Sequence, residues 1–415
     1  MASKGLHTLN IFLIISIASI LYGVQLPIRT ETKKSLGYPK DSLLNFTELT
    51  NEYGYDSQEH TIVTEDGYIL TMFRIVKGKN CIGRNREPPV ILMHGLLQSS
   101  DSWLDAGPNA GLAYLIADAC FDLWVGNCRG NYYSRRHVSL NPDTDNQFWQ
   151  FSVDEIGYYD IPAMVDYVLD NTGAENVNYV GFSQGAGTFF IMCSERPGYC
   201  EKANMLIALA PAARQTNTRS VLYRFLMGTV YNIEGFLKKT GVGEMLPKGS
   251  FGQEFLAFFC HLNSLTGRMC NMGQSLLDAF HPGSVSGETT RVLYGHFPAG
   301  TSVHNMARYG QSMKRRDFAK FDYGKDHNLK LYGSEEPPKY NLSAVSVPVV
   351  TLYGRNDGLV DVKDVKWLMR KLPNVVEELE VEDHLWTHLD VTYSQFTSTM
   401  IFPKIHEHLQ SNSNN

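Results

Sequence analysis

Apolar and polar positions follow two different periods along most of this chain. Between residues 55 and 76 they alternate with period two, which predicts a hairpin whose strands join at Glu65-Asp66-Gly67. Short runs that are apolar at every position then alternate with segments of helical spacing. Such runs indicate strands buried on both faces, so the pattern predicts a mostly parallel sheet covered by helices. The predicted strands are 89–93, 121–125, 177–181, 205–209, 348–353 and 376–381, and the predicted helices are 111–120, 161–169, the segment after 183, 362–372 and a last helix ending near 409.

This alternation stops between residues 213 and 340, where aromatic and methionine residues are frequent and no clear strand is visible. Helical pieces are predicted at 220–229 and 251–262. We therefore expect an α/β core interrupted by an inserted, mainly helical cap. The predicted divisions are a signal peptide over 1–23, the first part of the core over 24–212, the cap over 213–340, the second part of the core over 341–410 and a polar tail over 411–415.

The N-terminus has the pattern of a secretory signal. Lys4 and His7 precede an apolar stretch over 9–21 that breaks at Tyr22-Gly23. Because the stretch is shorter than the ~20 residues that span a bilayer, we expect cleavage near Gly23 rather than a retained anchor, and no transmembrane anchor in the mature protein.

Two glycosylation sequons agree with entry into the secretory pathway. They begin at Asn45, in Asn45-Phe46-Thr47, and at Asn341, in Asn341-Leu342-Ser343. The sequence therefore predicts glycans at these two asparagines.

Composition narrows the function classes. The 415 residues are 43% hydrophobic and 19% charged, which is typical of a globular protein and excludes a fibre or a disordered binding segment. A net charge of −6 provides no electrostatic footprint for nucleic acid, so no nucleic-acid partner is expected.

Seven cysteines in a chain of this size do not form a disulfide framework, and at least one must stay unpaired. Cys260 could pair with Cys270, which is close in sequence, and Cys193 could pair with Cys200. Cys120 and Cys128 are expected not to pair, because the buried strand between them would hold them ~25 Å apart at ~3.3 Å per residue.

The segment "NYVGFSQGAG" places Ser183 between two glycines where a buried strand meets a helix. One interpretation is a glycine-rich loop. The other is a nucleophile elbow, in which a sharp turn exposes the serine oxygen at the N-terminus of the helix. The strand-to-helix context favours the elbow.

A serine nucleophile needs a base, and the base needs a carboxylate that orients it. Asp357 and His388 follow two later strands, in the order serine, acid, histidine, which is typical of this kind of fold. Asp361 and His384 remain competitors by position, and Asp357 could also be only a turn residue.

A metal site is the alternative interpretation of the two histidines, which are four residues apart. The glutamate of the zinc motif is absent between them and no third ligand is evident. We therefore expect neither a metal nor an organic cofactor.

The tetrahedral anion of such chemistry needs two donors. In "ILMHGLLQSSDSW" the N–H of Leu96 follows a strand, and the N–H of Gln184 follows the proposed nucleophile. His94 is expected to brace the first of these loops rather than transfer protons.

The chain resembles the acid lipase family of α/β hydrolases over nearly all of its mature length. The resemblance rests on "YGYDSQEHTIVTEDGYIL", "HGLLQSSDSW", "DLWVGNCRGNYYSRRH", "FWQFSVDEIGYYDIPA", "GFSQG", "HFPAGTSVHNM" and "THLD". It implies an α/β-hydrolase fold and hydrolysis of lipid esters, with catalytic roles on Ser183, Asp357 and His388 and oxyanion donors at Leu96 and Gln184.

The resemblance also selects His388 over His384 and places the family's cap disulfide on Cys260 and Cys270. It implies a secreted or lysosomal location. Phe182 stands where vertebrate members have histidine, and Val391 stands where phenylalanine is usual. Since side chains alternate along a strand, we expect Phe182 to point away from the ester and to alter packing or substrate fit.

The expected function is a serine lipase acting on acylglycerols or sterol esters through an acyl-enzyme, at a lipid–water interface. Alternatives are a carboxylesterase or acyltransferase with the same triad, and a catalytically silent lipid-binding relative. An apolar stripe in the cap either packs against the core or forms a lid face that opens onto lipid. The stripe consists of Phe251, Phe255, Phe258, Phe259 and Leu262.

Overall fold

The computed structural model describes residues 27–79, 81 and 88–411. The signal peptide predicted over 1–23 therefore lies outside the described residues. So do residues 412–415 of the predicted tail, whereas Ser411 is the last residue of the final helix. The predicted boundary between core and tail at 410/411 thus falls inside a helix.

An eight-stranded sheet forms the centre of the molecule, in the order β1-β2-β4-β3-β5-β6-β9-β10. The hairpin of β1 and β2 is antiparallel and joins β4 antiparallel, and every other pairing is parallel. This confirms the predicted α/β-hydrolase type of sheet. The strands of this sheet are β1 (Asp56–Val63), β2 (Ile69–Lys77), β3 (Val90–Met93), β4 (Leu123–Gly126), β5 (Val177–Phe182), β6 (Ala203–Leu209), β9 (Val349–Tyr353) and β10 (Val375–Glu380).

The continuous apolar runs have the predicted structural cause. Strands β3, β4, β5 and β9 are buried at every position. In β3, Ile91 and Met93 pack into the hydrophobic cluster on one face of the sheet, while Val90 and Leu92 pack into the cluster on the other face. Both faces are therefore covered, and this leaves the carboxyl edge of the parallel strands for the functional side chains.

Helices flank the sheet and build the region between β6 and β9. Their bounds are α1 (Thr30–Ser35), α2 (Phe46–Glu52), α3 (Leu112–Asp118), α4 (Val153–Glu155), α5 (Ile161–Thr172), α6 (Gln184–Glu195), α7 (Val221–Lys239), α8 (Phe251–His261), α9 (Ser264–Leu277), α10 (Gly287–Leu293), α11 (Val303–Ser312), α12 (Lys325–Tyr332), α13 (Val362–Met369), α14 (Asp390–Tyr393), α15 (Thr397–Met400) and α16 (Phe402–Ser411). Short 3₁₀ turns lie at Lys40–Leu43, Ser100–Trp103, Asn146–Trp149, Cys200–Lys202 and Leu342–Ala344, and a π-helical turn at Ile156–Asp160.

Residues 213–340 are largely helical, with one departure from expectation. The absence of a clear strand is wrong for a two-residue antiparallel pair, β7 (Glu244–Met245) with β8 (Thr301–Ser302). Helix α7 also extends well beyond the predicted end at 229. Such a short pair leaves almost no alternation in the sequence, which explains why pattern alone did not show it.

The described residues contain three disulfide bonds. Cys260 pairs with Cys270 between α8 and α9, and Cys193 pairs with Cys200. Cys120, which precedes β4, pairs with Cys81, which follows β2, and Cys128 is a buried free thiol. Disulfides persist in oxidising compartments, so these bonds are consistent with the secretory pathway.

Within the ranges described, no helix combines the length and the apolar character that a membrane crossing requires.

Candidate active site

Ser183 occupies a strained turn between β5 and α6. Its φ of 51° and ψ of −112° are uncommon for a residue with a side chain. The main chain holds this conformation, because the Ser183 N–H donates to the Leu209 carbonyl at 2.9 Å. A Cβ at Gly185 would lie 2.5 Å from the Met93 carbonyl oxygen, so a glycine lets α6 start directly behind the strands.

The turn brings the serine hydroxyl to an imidazole and a carboxylate. The Ser183 Oγ lies 2.9 Å from His388 Nε2, and His388 Nδ1 lies 2.7 Å from Asp357 Oδ2. All three side chains are buried, with exposures of 6%, 4% and 0% for the serine, histidine and aspartate. The structure therefore brings together the three residues that the sequence proposed as nucleophile, base and acid.

Asp357 is oriented by its own loop. Its Oδ1 accepts the main-chain N–H groups of Leu359 and Val360 at 2.8 and 2.7 Å, which leaves Oδ2 to accept from the imidazole. The competitor Asp361 instead caps α13 through the Lys363 N–H. The competitor His384 is exposed to solvent.

The electrostatics favour a charged imidazole. Burial by itself lowers the pKa of His388, but the charge of Asp357 and the hydrogen bond to it outweigh burial, so the pKa is raised above 6.5. This raised pKa suits a group that must hold the serine proton once the hydroxyl attacks.

Leu96 and Gln184, the predicted oxyanion donors, lie on two braced segments. The loop before α3 is fixed by Gly95 N–H donating to Gln98 Oε1 at 2.9 Å and by Ala299 N–H donating to the Leu97 carbonyl at 2.7 Å. Within the described part of the chain, neither the Leu96 N–H nor the Gln184 N–H donates a hydrogen bond. Gln184 is the first residue of α6, where N–H groups have no partner inside the helix.

His94 braces this loop, as expected. Its Nε2 accepts the Cys128 N–H at 3.2 Å, so Nδ1 carries the proton and donates to the Gly95 carbonyl at 2.8 Å. Burial lowers the pKa of His94 to about 4, which keeps the ring neutral.

A cavity of about 200 Å³ opens beside Ser183 and His388, and most of its walls are apolar. Residues between β6 and β9 supply several of these walls, including Leu226, Met227, Val230, Leu256 and Met306.

The expectation that Phe182 points away from the reacting group is wrong. Its ring centroid lies 4.7 Å from that of His388, and its side chain lines the cavity. Phe182 is the last residue of β5, so its ring can extend past the carboxyl end of the strand to the histidine, although it belongs to the same hydrophobic cluster as Val180. Phe182 therefore shapes the site directly.

The apolar stripe predicted over 251–262 is partly packed inside the protein and partly exposed to solvent. Phe258 and Phe259 pack against a small hydrophobic cluster that contains the Cys260–Cys270 pair. In contrast, Phe251 and Phe255 are 54% and 53% exposed. Other exposed apolar side chains of this region lie on α7, on α9 and on the turn after α9, namely Val221, Phe225, Phe236, Leu265, Met269, Met272, Leu276 and Phe280. We call these exposed side chains, with Phe251 and Phe255, the apolar cap face.

The described residues contain no group of three or more histidine, cysteine, aspartate or glutamate side chains that could hold a metal ion.

Sequence reasoning missed one group at the site. Asp278 directly follows α9 and is buried, and its carboxylate accepts the N–H groups of Gly358 and Leu389, which directly follow the triad acid and histidine. These contacts join positions that are 80 and 111 residues apart, so no local pattern marks them.

Comparison with known proteins agrees with this geometry. A family model described as "alpha/beta hydrolase fold" matches residues 88–389, and one described as "Partial alpha/beta-hydrolase lipase region" matches residues 46–107. A soluble variant of monoglyceride lipase from Saccharomyces cerevisiae superimposes with a TM-score of 0.53 at 13% identity, covering 90% of this chain and 98% of its own, which supports the fold.

Curated relatives match along most of the sequence. Lipase 1 of Drosophila melanogaster is 38% identical, covering 88% of this chain and 80% of its own. Human gastric triacylglycerol lipase is 34% identical, with coverages of 85% and 87%. Human lysosomal acid lipase/cholesteryl ester hydrolase is 35% identical, with coverages of 87% and 90%. The chain therefore belongs to the α/β-hydrolase lipase family that includes the gastric and lysosomal acid lipases.

Proposed function

We propose that this chain is a serine lipase that hydrolyses carboxylic esters of lipids through an acyl-enzyme. The observation that carries the proposal is the hydrogen-bonded series from Ser183 through His388 to Asp357 beside an apolar cavity. The names of the relatives, which include a triacylglycerol lipase and a cholesteryl ester hydrolase, support lipid esters as the substrate class.

In the proposed mechanism, Ser183 Oγ attacks the ester carbonyl while His388 Nε2 takes the hydroxyl proton. Asp357 holds the imidazole with its Nδ1 proton facing the carboxylate and stabilises the imidazolium that forms. The N–H groups of Leu96 and Gln184 bind the tetrahedral oxyanion. His388 then protonates the departing alcohol and later activates the water that releases the fatty acid.

The cap is proposed to place this chemistry at a lipid surface. We assign residues 213–340 to the cap, 24–212 and 341–410 to the core, and 1–23 to a cleaved signal. Leu256 follows the exposed Phe255 on α8, is itself partly exposed and lines the cavity, so the exposed apolar side of α8 reaches the cavity wall. A large exposed apolar patch marks an interaction surface, and a lipid surface would supply both the contact and the substrate.

Both sequons fit a secreted or lysosomal glycoprotein. Asn45 and Asn341 are exposed. Their hydrogen bonds use Oδ1, which accepts from Glu48 N–H at 2.9 Å and from Ser343 Oγ at 2.5 Å. A glycan attaches through Nδ2, so these bonds and a glycan are compatible.

The deciding experiment is hydrolysis by the purified secreted protein of emulsified triacylglycerols and cholesteryl esters from pH 4 to pH 8, beside Ser183→Ala. We expect fatty acid release by the wild type and a loss of several orders of magnitude in the variant. Hydrolysis of short soluble esters alone would favour a carboxylesterase, and acyl transfer to an added alcohol would favour an acyltransferase. Absence of reaction with a fluorophosphonate would identify a catalytically silent relative.

A further inference from the structure

Asp278 links the cap to both loops that carry the triad. It directly follows α9, and its side chain is buried at 6% exposure. Its Oδ1 accepts the Gly358 N–H at 2.9 Å, and its Oδ2 accepts the Leu389 N–H at 2.8 Å. Gly358 and Leu389 are the residues immediately after Asp357 and His388, so one carboxylate spans the main chain of both triad partners.

Gly358 shows how closely the two parts approach each other. A Cβ at this position would lie 2.2 Å from the main-chain oxygen of Asp278. Backbone does not yield to such an overlap, so only glycine admits the cap at this distance. The glycine after the triad acid is therefore explained by contact with the cap, and not only by the turn it belongs to.

Neighbouring residues of the cap add three more bonds to the same loops. The Phe280 carbonyl accepts from Asn356 Nδ2 at 3.0 Å, and His281 Nδ1 lies 2.7 Å from Asp390 Oδ2. Ser284 Oγ donates to Asp390 Oδ1 at 2.6 Å.

We propose that Asp278 is a positioning residue for the reaction, which sets the relative placement of Asp357 and His388 from the cap. This inference rests on the function proposed above. The triad acid and histidine come from separate loops of the core, and Asp278 is bonded to the main chain of both. A shift of the cap at this point would change the Asp357–His388 geometry, on which tautomer and proton transfer depend.

The charge of Asp278 acts on the same pair. Burial and the nearby Asp357 charge raise the pKa of Asp278 to about 7, while His388 and the two main-chain donors oppose the rise. In return, the Asp278 charge contributes to the raised pKa of His388. Other charged groups on the surrounding loops include Arg219, which donates to the Asp357 carbonyl and pairs with Asp361, and His281, which contacts Asp390 and Asp383.

A purely structural role for Asp278 predicts a different result from a positioning role. If the carboxylate only stabilised the cap, its loss would lower the melting temperature and leave the kinetics of the folded molecules unchanged. If it positions the pair, its loss must also lower kcat and move the pH profile. Because the pKa of Asp278 is raised to about 7, its negative charge is present mainly above that pH and raises the pKa of His388 there. Removing the charge therefore shifts the upper part of the acid limb of kcat/KM to lower pH.

The test compares Asp278→Asn, Asp278→Glu and Asp364→Asn. Asp364 is a matched control, since it is a buried carboxylate that joins the core to the start of the cap through the Asn217 N–H at 2.7 Å and lies on α13. Each protein is titrated with a fluorophosphonate to count working sites, and kcat/KM for a soluble p-nitrophenyl ester is measured from pH 4 to pH 9 beside the melting temperature.

We expect Asp278→Asn to lose about 10- to 100-fold in kcat per titrated site with little change in KM, and to show an acid limb at lower pH. Asp278→Glu should lose kcat but keep the wild-type limb, because it retains the charge and not the geometry. Asp364→Asn should lower only the melting temperature.

The proposal would be overturned if Asp278→Asn kept the wild-type kcat and pH profile. It would also be overturned if both Asp278 variants failed to fold, because the residue would then serve only the structure of the cap. A wild-type protein that does not react with the fluorophosphonate would instead refute the proposed function itself, so the two failures are distinguishable.

Discussion

Replacing Asp357 with asparagine should prevent His388 from acting as the base and should not disturb the fold. Oδ1 of Asp357 accepts two main-chain N–H groups, from Leu359 and Val360 at 2.8 and 2.7 Å. The oxygen of an asparagine must stay at that position, because an NH₂ group there would face two donors. The NH₂ group would then face His388 Nδ1, which lies 2.7 Å from Asp357 Oδ2 in the native site. A donor at this position forces the neutral imidazole to carry its proton on Nε2.

A proton on Nε2 points at the Ser183 hydroxyl, so the imidazole cannot accept the serine proton. The equivalent change in serine proteases costs about 10⁴ in kcat, which corresponds to about 5.5 kcal/mol of transition-state stabilisation. We expect a loss of the same order for Asp357→Asn, measured as kcat on a soluble p-nitrophenyl ester, with the melting temperature nearly unchanged.

Asp361→Asn is the matched control for this prediction. Asp361 caps α13 through the Lys363 N–H at 2.9 Å, and asparagine caps helices about as well as aspartate. Its activity should therefore stay within about threefold of the wild type, because Asp361 contacts no triad side chain and reaches Asp357 only through Arg219, which donates to the Asp357 carbonyl. If Asp357→Asn retained more than a tenth of the activity, or if Asp361→Asn lost as much, the assignment of the triad acid would be wrong.

Two further predictions concern the cap. His281 contacts the carboxylates of Asp390 and Asp383, and its pKa is raised chiefly by the hydrogen bond to Asp390, so the stability it contributes is complete below about pH 6.5 and is lost as the pH rises through the raised pKa. The difference in melting temperature between the wild type and His281→Gln should therefore be largest near pH 5 and should vanish in alkali. An equal difference at every pH would contradict a charged His281. Phe255→Ser removes about 100 Å² of exposed apolar surface, worth about 2.5 kcal/mol on insertion into lipid, so it should weaken vesicle binding by up to about 60-fold and leave the turnover of a soluble ester unchanged. The control is Val63→Ser, at a similarly exposed site on the hairpin. Equal binding by both variants would show that the apolar cap face does not contact lipid.

The core was predictable from sequence because its signals are local. A strand buried on both faces must be apolar throughout, and a nucleophile elbow must crowd small residues around its serine, so β5 and Ser183 could be located without coordinates. The order of serine, acid and histidine then indicated Asp357 and His388, with Asp361 and His384 still competing by position, and the resemblance to the acid lipases selected His388.

The cap was predictable only in outline, since its contacts join distant positions. Asp278 acts on residues 80 and 111 positions away, and the pair of β7 and β8 has only two residues in each strand. Phe182 was misplaced because period-two alternation describes the direction of a Cβ and not how far a large ring reaches beyond the end of a strand.

Peptide mapping after reaction with a fluorophosphonate tests the central claim most directly. We predict a single covalent adduct on the peptide that contains Ser183, absent in Ser183→Ala and formed much more slowly in His388→Gln, with lipid hydrolysis lost in step with labelling. An adduct on another residue, or hydrolysis that persists in Ser183→Ala, would contradict the account.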